Sequence, residues 1–402
     1  MKKLLAVSCL AALFAHPALA QDTTSTEPDT AYVNYGDRPL SLPLGIGLRT
    51  PSYDRVNGLT LPWGPRLVLG EDRLELDAIV SYRSHLGHWD PSLEGSFRPG
   101  YRNELRFFVG RGTFSNDGWI RSDLINSAAV LFAGSDARNH YRADRASLRF
   151  TRTFTSSAFT LAPFLGGNIE KGWSTGSLVP DKTPWSVFGR SHRLKMKRPN
   201  PAVLKGQISS IIGGIGVDYF RGELDAKLEA TVEEALKSPH EECVFPPGGI
   251  ICNIGEGSFT QATIHSTVVF PTFGAQTFAF RTHAVLTPSD FVPPQRYAYL
   301  GGAGTLATVD LLALGGDRLF FAEGEYKVPI ERILLPVVGS PFIALRYAAG
   351  SAGVRELPSL IQNLGIGVGV SVLRVDYSID PAGNRSPFSR RSAWSFGVSL
   401  PY

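Results

Sequence analysis

The segment from Ser392 to Tyr402 alternates with a period of two. Ser392, Trp394, Phe396, Val398, Leu400 and Tyr402 occupy one set of positions; Ala393, Ser395, Gly397, Ser399 and Pro401 occupy the other. Successive side chains of a strand point to opposite faces, so the segment reads as a strand with one aromatic face and one small, polar face. The device recurs along the chain. Leu74, Leu76, Ala78, Val80 and Tyr82 alternate with Arg73, Glu75 and Asp77, and Ala146, Leu148 and Phe150 with Ser147, Arg149 and Thr151. Between Val217 and Leu228, charged Arg221, Glu223, Asp225 and Lys227 oppose Phe220, Leu224, Ala226 and Leu228. Phe278, Phe280, Ala284 and Leu286 oppose Arg281 and His283, with Thr282 a lapse on the apolar face. Leu364, Ile366, Val368, Val370 and Val372 alternate with Gly365, Gly367, Gly369 and Ser371. Lipid on one side of a sheet and a lumen on the other impose this pattern.

A soluble β-sandwich alternates too. Against it stand ionic residues on the polar faces of strands rich in Phe, Val and Leu, and no composition break into sandwich-sized units. The reading is therefore all-β, a transmembrane antiparallel β-barrel. Roughly 22–25 residues per strand and connection predict about 16 strands, an even number as bacterial barrels have. No run of roughly 18 apolar residues, the length a spanning helix needs, follows Gln21. Residues 1–20 read as a signal peptide: Lys2 and Lys3, an apolar run from Leu4 to Phe14, then Ala18-Leu19-Ala20. Residues 21–45 read as a disordered or extended tail and 46–402 as the barrel. Without Lys2 and Lys3, basic and acidic side chains stand at 38 to 36, so charge gives no reason to expect nucleic acid.

Leu224, Leu228, Val232 and Leu236 also fit a helical face. The expectation is a strand running into an outer loop, with room for a short helix over 231–237. Cys243 and Cys252 flank a Pro-Pro-Gly-Gly turn and are candidates for a disulfide in an oxidising compartment; two loop thiols are the alternative. His85 and His88 offer two metal ligands without a third nearby and read as a solvated loop, so no metal is expected. No Gly-x-Ser-x-Gly elbow, phosphate loop or HExxH helix is present, and the chain is not expected to be an enzyme or to carry a cofactor. The ionic inner faces read first as ion pairs bracing the wall around an inserted loop, and second as the field of a pore.

Several stretches resemble the surface-antigen superfamily of BamA/TamA barrels. These are Tyr299-Leu300-Gly301-Gly302, Gly304-Thr305-Leu306, Gly315-Gly316-Asp317-Arg318 and Glu323 to Ile330. Tyr53 to Leu59 is similar to the family's barrel start, and Leu373-Arg374-Val375-Asp376-Tyr377 to its penultimate segment. The resemblance spans about 53–402. It implies that Leu300, Gly301 and Gly302 open a long loop folded back into the lumen, continuing through Leu306, Ala307 and Thr308. It places Glu325, Tyr326, Lys327 and Pro329 in a wall strand, with Arg374 and Asp376 beside it. Trp394, Phe396 and Tyr402 match the terminal segment read by outer-membrane assembly machinery, and also suit an interfacial aromatic girdle.

The family's lumen loop carries an Arg-Gly-Phe/Tyr tip whose guanidinium packs against wall carboxylates. Here Leu306-Ala307-Thr308-Val309 stands in its place, and the sequence is expected to lack POTRA domains. The expected partners are outer-membrane lipids and the assembly machinery. The expected role is outer-membrane biogenesis or protein or lipid transport, with a small-solute pore and a surface protein acting through its loops as alternatives.

Overall fold

The structure is a computed structural model that describes residues 40–70, 72–175, 185–187, 198–244, 251–289, 291–333, 339–371, 373–383 and 387–398. The segment 1–20 read as a signal peptide, the expected tail up to residue 39 and Tyr402 lie outside the described residues.

The chain builds one antiparallel sheet whose neighbours follow sequence order. Its edge is formed by β1 (Leu40–Ser41) and β2 (Ser52–Asp54), which pair with β4 (Arg66–Leu69) and β3 (Gly58–Trp63) respectively. Both β3 and β4 pair with β5 (Leu74–Arg83). Gly64 lies between them, at a point where a Cβ would collide with the Ala78 carbonyl oxygen. Next come β6 (His88–Gly100), β7 (Asn103–Phe114) and β8 (Tyr141–Arg152), with β9 (Phe154–Thr155) continuing β8 along β10 (Phe159–Trp173). The meander proceeds through β11 (Gly206–Arg221), β12 (Leu224–Val244), β13 (Ile251–Pro271) and β14 (Thr277–Leu286). A small hairpin, β15 (Ala298–Leu300) with β16 (Leu314–Gly316), stands apart from the main sheet. Then β17 (Arg318–Pro329) pairs with β14, and β18 (Pro341–Gly353), β19 (Ile361–Val370), β20 (Leu373–Ile379) and β21 (Ser392–Val398) complete the sheet.

Among the described residues the main sheet has nineteen segments. Since β1/β2, β3/β4 and β8/β9 are each one interrupted strand, they amount to sixteen runs, the number that strand spacing predicts. Tight turns at Tyr101–Arg102 and Gly222–Glu223 close one end of the sheet, while 115–140 and the described parts of the β10–β11 and β14–β17 connections lie at the other. Among the described residues no helix is long and apolar enough to cross a membrane.

The alternation is realised in space. Trp394 and Phe396 are 73% and 79% exposed, and Leu148, Leu364, Ile366 and Val368 are exposed as well. Water would oppose such an apolar surface; acyl chains do not. Thr282, the lapse on that face, bonds the Ser266 hydroxyl at 2.6 Å across the β13–β14 ladder, so neither hydroxyl faces hydrocarbon unpaired.

Two expectations change. Residues 231–237 are not helical: they lie within β12, a strand of 21 residues. Leu224, Leu228, Val232 and Leu236 recur every fourth residue, and four is even, so the spacing satisfies a strand as well as a helix. The Val217–Leu228 alternation is not one strand either, because a turn at Gly222, φ +62°, splits it. Among the described residues the one α-helix is α1 (Asp123–Ala133). Ser122 caps its first turn, its side chain accepting from Ile125 N, and Gly134 ends it in the left-handed region at φ 60°.

Candidate functional site: a pinned lumen loop

The segment 287–317 folds onto the inner face of the sheet. Leu300, Leu306 and Val309 are buried with Val285, Leu319, Phe321, Ala348, Ala352 and Ile361 of the wall. The turn that starts this insertion depends on its glycines. Gly301 and Gly302 have φ +124° and +85°, and a Cβ on Gly301 would meet the Asp310 carbonyl oxygen. Gly302 N donates to both Leu306 O, at 3.0 Å, and Val309 O, at 2.9 Å, while Gly301 N donates to Thr305 Oγ1 at 3.0 Å. The loop thereby satisfies its own backbone away from water.

Three anchors hold it. The first is Arg296, on the turn Pro294–Arg296. Its Nη1 donates to Glu170 Oε1 at 3.0 Å and its Nε to Glu233 Oε2 at 3.0 Å. Tyr141 Oη accepts from the same Nη1 at 3.2 Å, and Arg145 Nε also donates to Glu170, at 2.8 Å. Glu170 is fully buried and Arg296 nearly so. Two carboxylates shared by two guanidiniums, with most donors used, are the geometry in which a buried ion cluster offsets its desolvation.

The second anchor is Glu323 with Arg281 and Arg346. Arg346 Nε donates to Glu323 Oε2 at 2.8 Å, and Arg281 Nη2 to the same oxygen at 3.3 Å. Each arginine spends a further N–H on the loop backbone: Arg281 on Gly304 O at 2.6 Å, Arg346 on Thr305 O at 2.8 Å. The third anchor is Asn363 on β19, whose Oδ1 accepts from Thr308 N at 3.0 Å and whose Nδ2 donates to Thr308 Oγ1 at 2.7 Å.

The segment 115–140 lies over this loop. Trp119 stacks on His283 with ring centroids 4.1 Å apart, and Arg121 Nη2 donates to Ala303 O at 2.8 Å. Ile120, Ala137 and Leu312 form a small apolar cluster between the two segments. Around it lies a buried polar cap. Arg55 donates from Nη1 to Arg198 O at 2.5 Å and from Nη2 to Arg138 O at 3.3 Å, with Asp136 Oδ2 3.7 Å from its Nε. Burial pushes the Asp117 carboxyl up to about 7, and burial, reinforced by Arg55, pulls Arg198 down to about 9. Asp54, Asp136 and His140 bring possible metal-ligand atoms within 4.8 Å. Asp136 already accepts from His140 Nε2 at 2.9 Å and from Arg55 N at 3.2 Å, so these residues form a protein network rather than an open ligand set.

The residues singled out from sequence fall into three groups. Leu300, Gly301, Gly302, Leu306 and Thr308 are the heart of the inserted loop, and Ala307 lies between them. Glu325, Arg374 and Asp376 meet in the lumen wall: Arg374 Nη1 donates to Glu325 Oε2 at 2.7 Å and its Nε to Asp376 Oδ2 at 2.9 Å. Tyr326, Lys327 and Pro329 do not join them. Tyr326 Oη accepts from Thr272 at 3.1 Å, the Lys327 ammonium lies 4.3 Å from the Phe342 ring, and Pro329 pairs with Phe342. Trp394 packs on Tyr377 at 4.8 Å on the outer face. The β12–β13 register sets Cys243 opposite Cys252; their side chains lie outside the description. Of the inner charges, Glu75 lies 3.1 Å from Arg66 on the neighbouring strand, and Lys227 3.4 Å from Asp225 on its own strand. His85 Nδ1 lies 3.0 Å from Val56 O.

Guanidiniums other than one at the loop tip tie loop to wall: Arg281, read from sequence only as a polar-face residue, and Arg296 and Arg346, which the sequence reading did not single out. Arg296, upstream of the glycine turn, supplies a loop guanidinium to wall carboxylates, and Arg281 and Arg346 supply wall guanidiniums to loop carbonyls. An arginine beside two prolines before the glycine turn was the available signal.

No protein-family model matches the sequence, and none of the curated proteins does. Among solved structures, the chain is similar to BamA from Haemophilus ducreyi lacking POTRA domains 1–3, with TM-score 0.53 and 14% identity over 87% of this chain and 68% of that one. It is also similar to CdiB from Escherichia coli, with TM-score 0.47 and 11% identity, spanning 62% of that chain. With its antiparallel meander, its lipid-type outer face and its inserted loop, the chain has the fold of a BamA-like outer-membrane β-barrel.

Proposed function

We propose that the protein resides in a bacterial outer membrane and acts in its biogenesis, or in moving protein or lipid across it, rather than as an open solute pore. The observation that carries this reading is the loop 287–317, buried in the lumen and tied to the wall at Glu170, Glu233, Glu323 and Asn363. A lumen filled in this way leaves the rim of the wall, where the first and last strands meet, as the route for a client. Among the described residues no ladder joins β21 to β1 or β2.

The test is reconstitution. Liposomes containing the purified protein are expected to accelerate the folding of an unfolded outer-membrane barrel client over protein-free liposomes. Stepwise solute flux without any acceleration would replace this reading with the pore.

A further inference from the structure

β12 and β13 are each 21 residues long and outrun their neighbours at the long-loop end. β11 stops supporting β12 at Ser209↔Lys237, and β14 supports β13 only from Ala262 onward. Beyond these points, residues 238–244 and 251–259 form a two-stranded ribbon whose outer edges pair with no strand among the described residues, with Gly206 beside Pro239 on the β12 side.

The two edges are not equivalent. Thr260 N donates to Ser289 Oγ at 2.8 Å, so the main-chain groups of Thr260 point to the open side of β13. Main-chain direction alternates along a strand, and the single register shift, between Ala235 and Ser238, lies on β12. The N–H and C=O of Ser258, Glu256 and Ile254 therefore point to the same open side. By the same parity β12 presents Pro239 and Glu241 on its edge, and Pro239 has no N–H to donate. Proline blunts one edge; among the described residues Ile254 to Ser258 on the other pair with no strand, and Ser289 meets that edge at Thr260.

The side chains next to the bare edge are acidic on balance. Ile254, Glu256 and Ser258 are exposed on one face, which also carries Glu234 and Glu241, against the single cation Lys237, paired with Glu256 at 2.5 Å. We infer that the β13 edge from Ile254 to Ser258 is a docking site for an extended, basic segment of a partner protein, which adds to the ribbon as a further antiparallel strand. Backbone pairing would supply the affinity, and the glutamates the preference for Lys or Arg at alternate positions.

The probe is a labelled peptide alternating Lys with Val and Thr, titrated by fluorescence anisotropy against the detergent-solubilised protein. Binding is expected to fall about tenfold or more in Ser258→Pro, which loses an edge N–H and steers the incoming strand away. Proline on an exposed edge leaves the ribbon itself intact. Glu256→Lys is expected to weaken the basic peptide and favour its Glu-substituted counterpart. The unaltered protein with a peptide N-methylated at alternate residues is the second arm, independent of folding of any variant, and it too should lose binding. Equal binding of the N-methylated and parent peptides overturns the proposal, as does absence of binding by the basic peptide. A concentration-dependent dimer abolished by Ser258→Pro would assign the edge to a second copy and overturn the choice of partner.

Discussion

At the scale of single residues, Arg296 is the most consequential side chain that the fold adds to the sequence reading. Its removal leaves buried Glu170 to Arg145 alone and takes from Glu233 its guanidinium partner, and breaking a buried pair costs about 3–5 kcal/mol. Arg296→Ala is expected to lower the midpoint of urea unfolding, read by heat-modifiable gel mobility, and to expose segment 287–317 to protease. An unchanged midpoint and intact protection would show that the pin is dispensable. Asp117 gives a pH-dependent counterpart. Its folded-state carboxyl is raised from 3.8 to about 7 by burial, so the fold holds its proton more tightly than the unfolded chain does. The cost of ionising it accumulates as pH rises from about 4 to about 7 and is constant above that. Hydrogen exchange in 115–140, corrected for intrinsic rates, should therefore be slower at pH 5 than at pH 8. Asp117→Asn should flatten that difference; a difference that persists assigns it to another group.

At the scale of elements, what the sequence made legible and what it hid divide along a physical line. The face a strand shows to lipid is a local requirement, met residue by residue, so Leu364, Ile366 and Val368, or Trp394 and Phe396, declare it without help from the rest of the chain. Ion pairs across the lumen are not local. Arg296 meets Glu170 and Glu233 from different strands only once the registers of β10, β11 and β12 are set, and no spacing in the sequence encodes that. The helix/strand ambiguity over 224–236 arose because a spacing of four serves both periods, while α1 had a readable Ser122 cap and Gly134 stop that were overlooked. The hairpin β12–β13 carries one further prediction. Cys243 lies directly opposite Cys252, where a cross-strand disulfide is proposed. Oxidised mature protein should show no free thiol by thiol titration and a mass about 2 Da below the reduced form, reflecting the loss of two hydrogens on oxidation. Two titratable thiols in protein isolated without reductant would contradict it.

At the scale of the whole molecule, the account is of an outward face suited to lipid and an inward face occupied by the protein's own loop. Ion pairs tie that loop to the wall and the wall to itself: Arg374 spans Glu325 and Asp376, and Arg281 and Arg346 share Glu323 while gripping Gly304 and Thr305. The decisive measurement is planar-bilayer conductance of the purified protein beside a variant lacking residues 303–313, which removes Thr305, Leu306 and Val309 from the lumen core. The account predicts a silent parent and a conducting deletion variant. Steady conductance by the parent, little altered by the deletion, would contradict it.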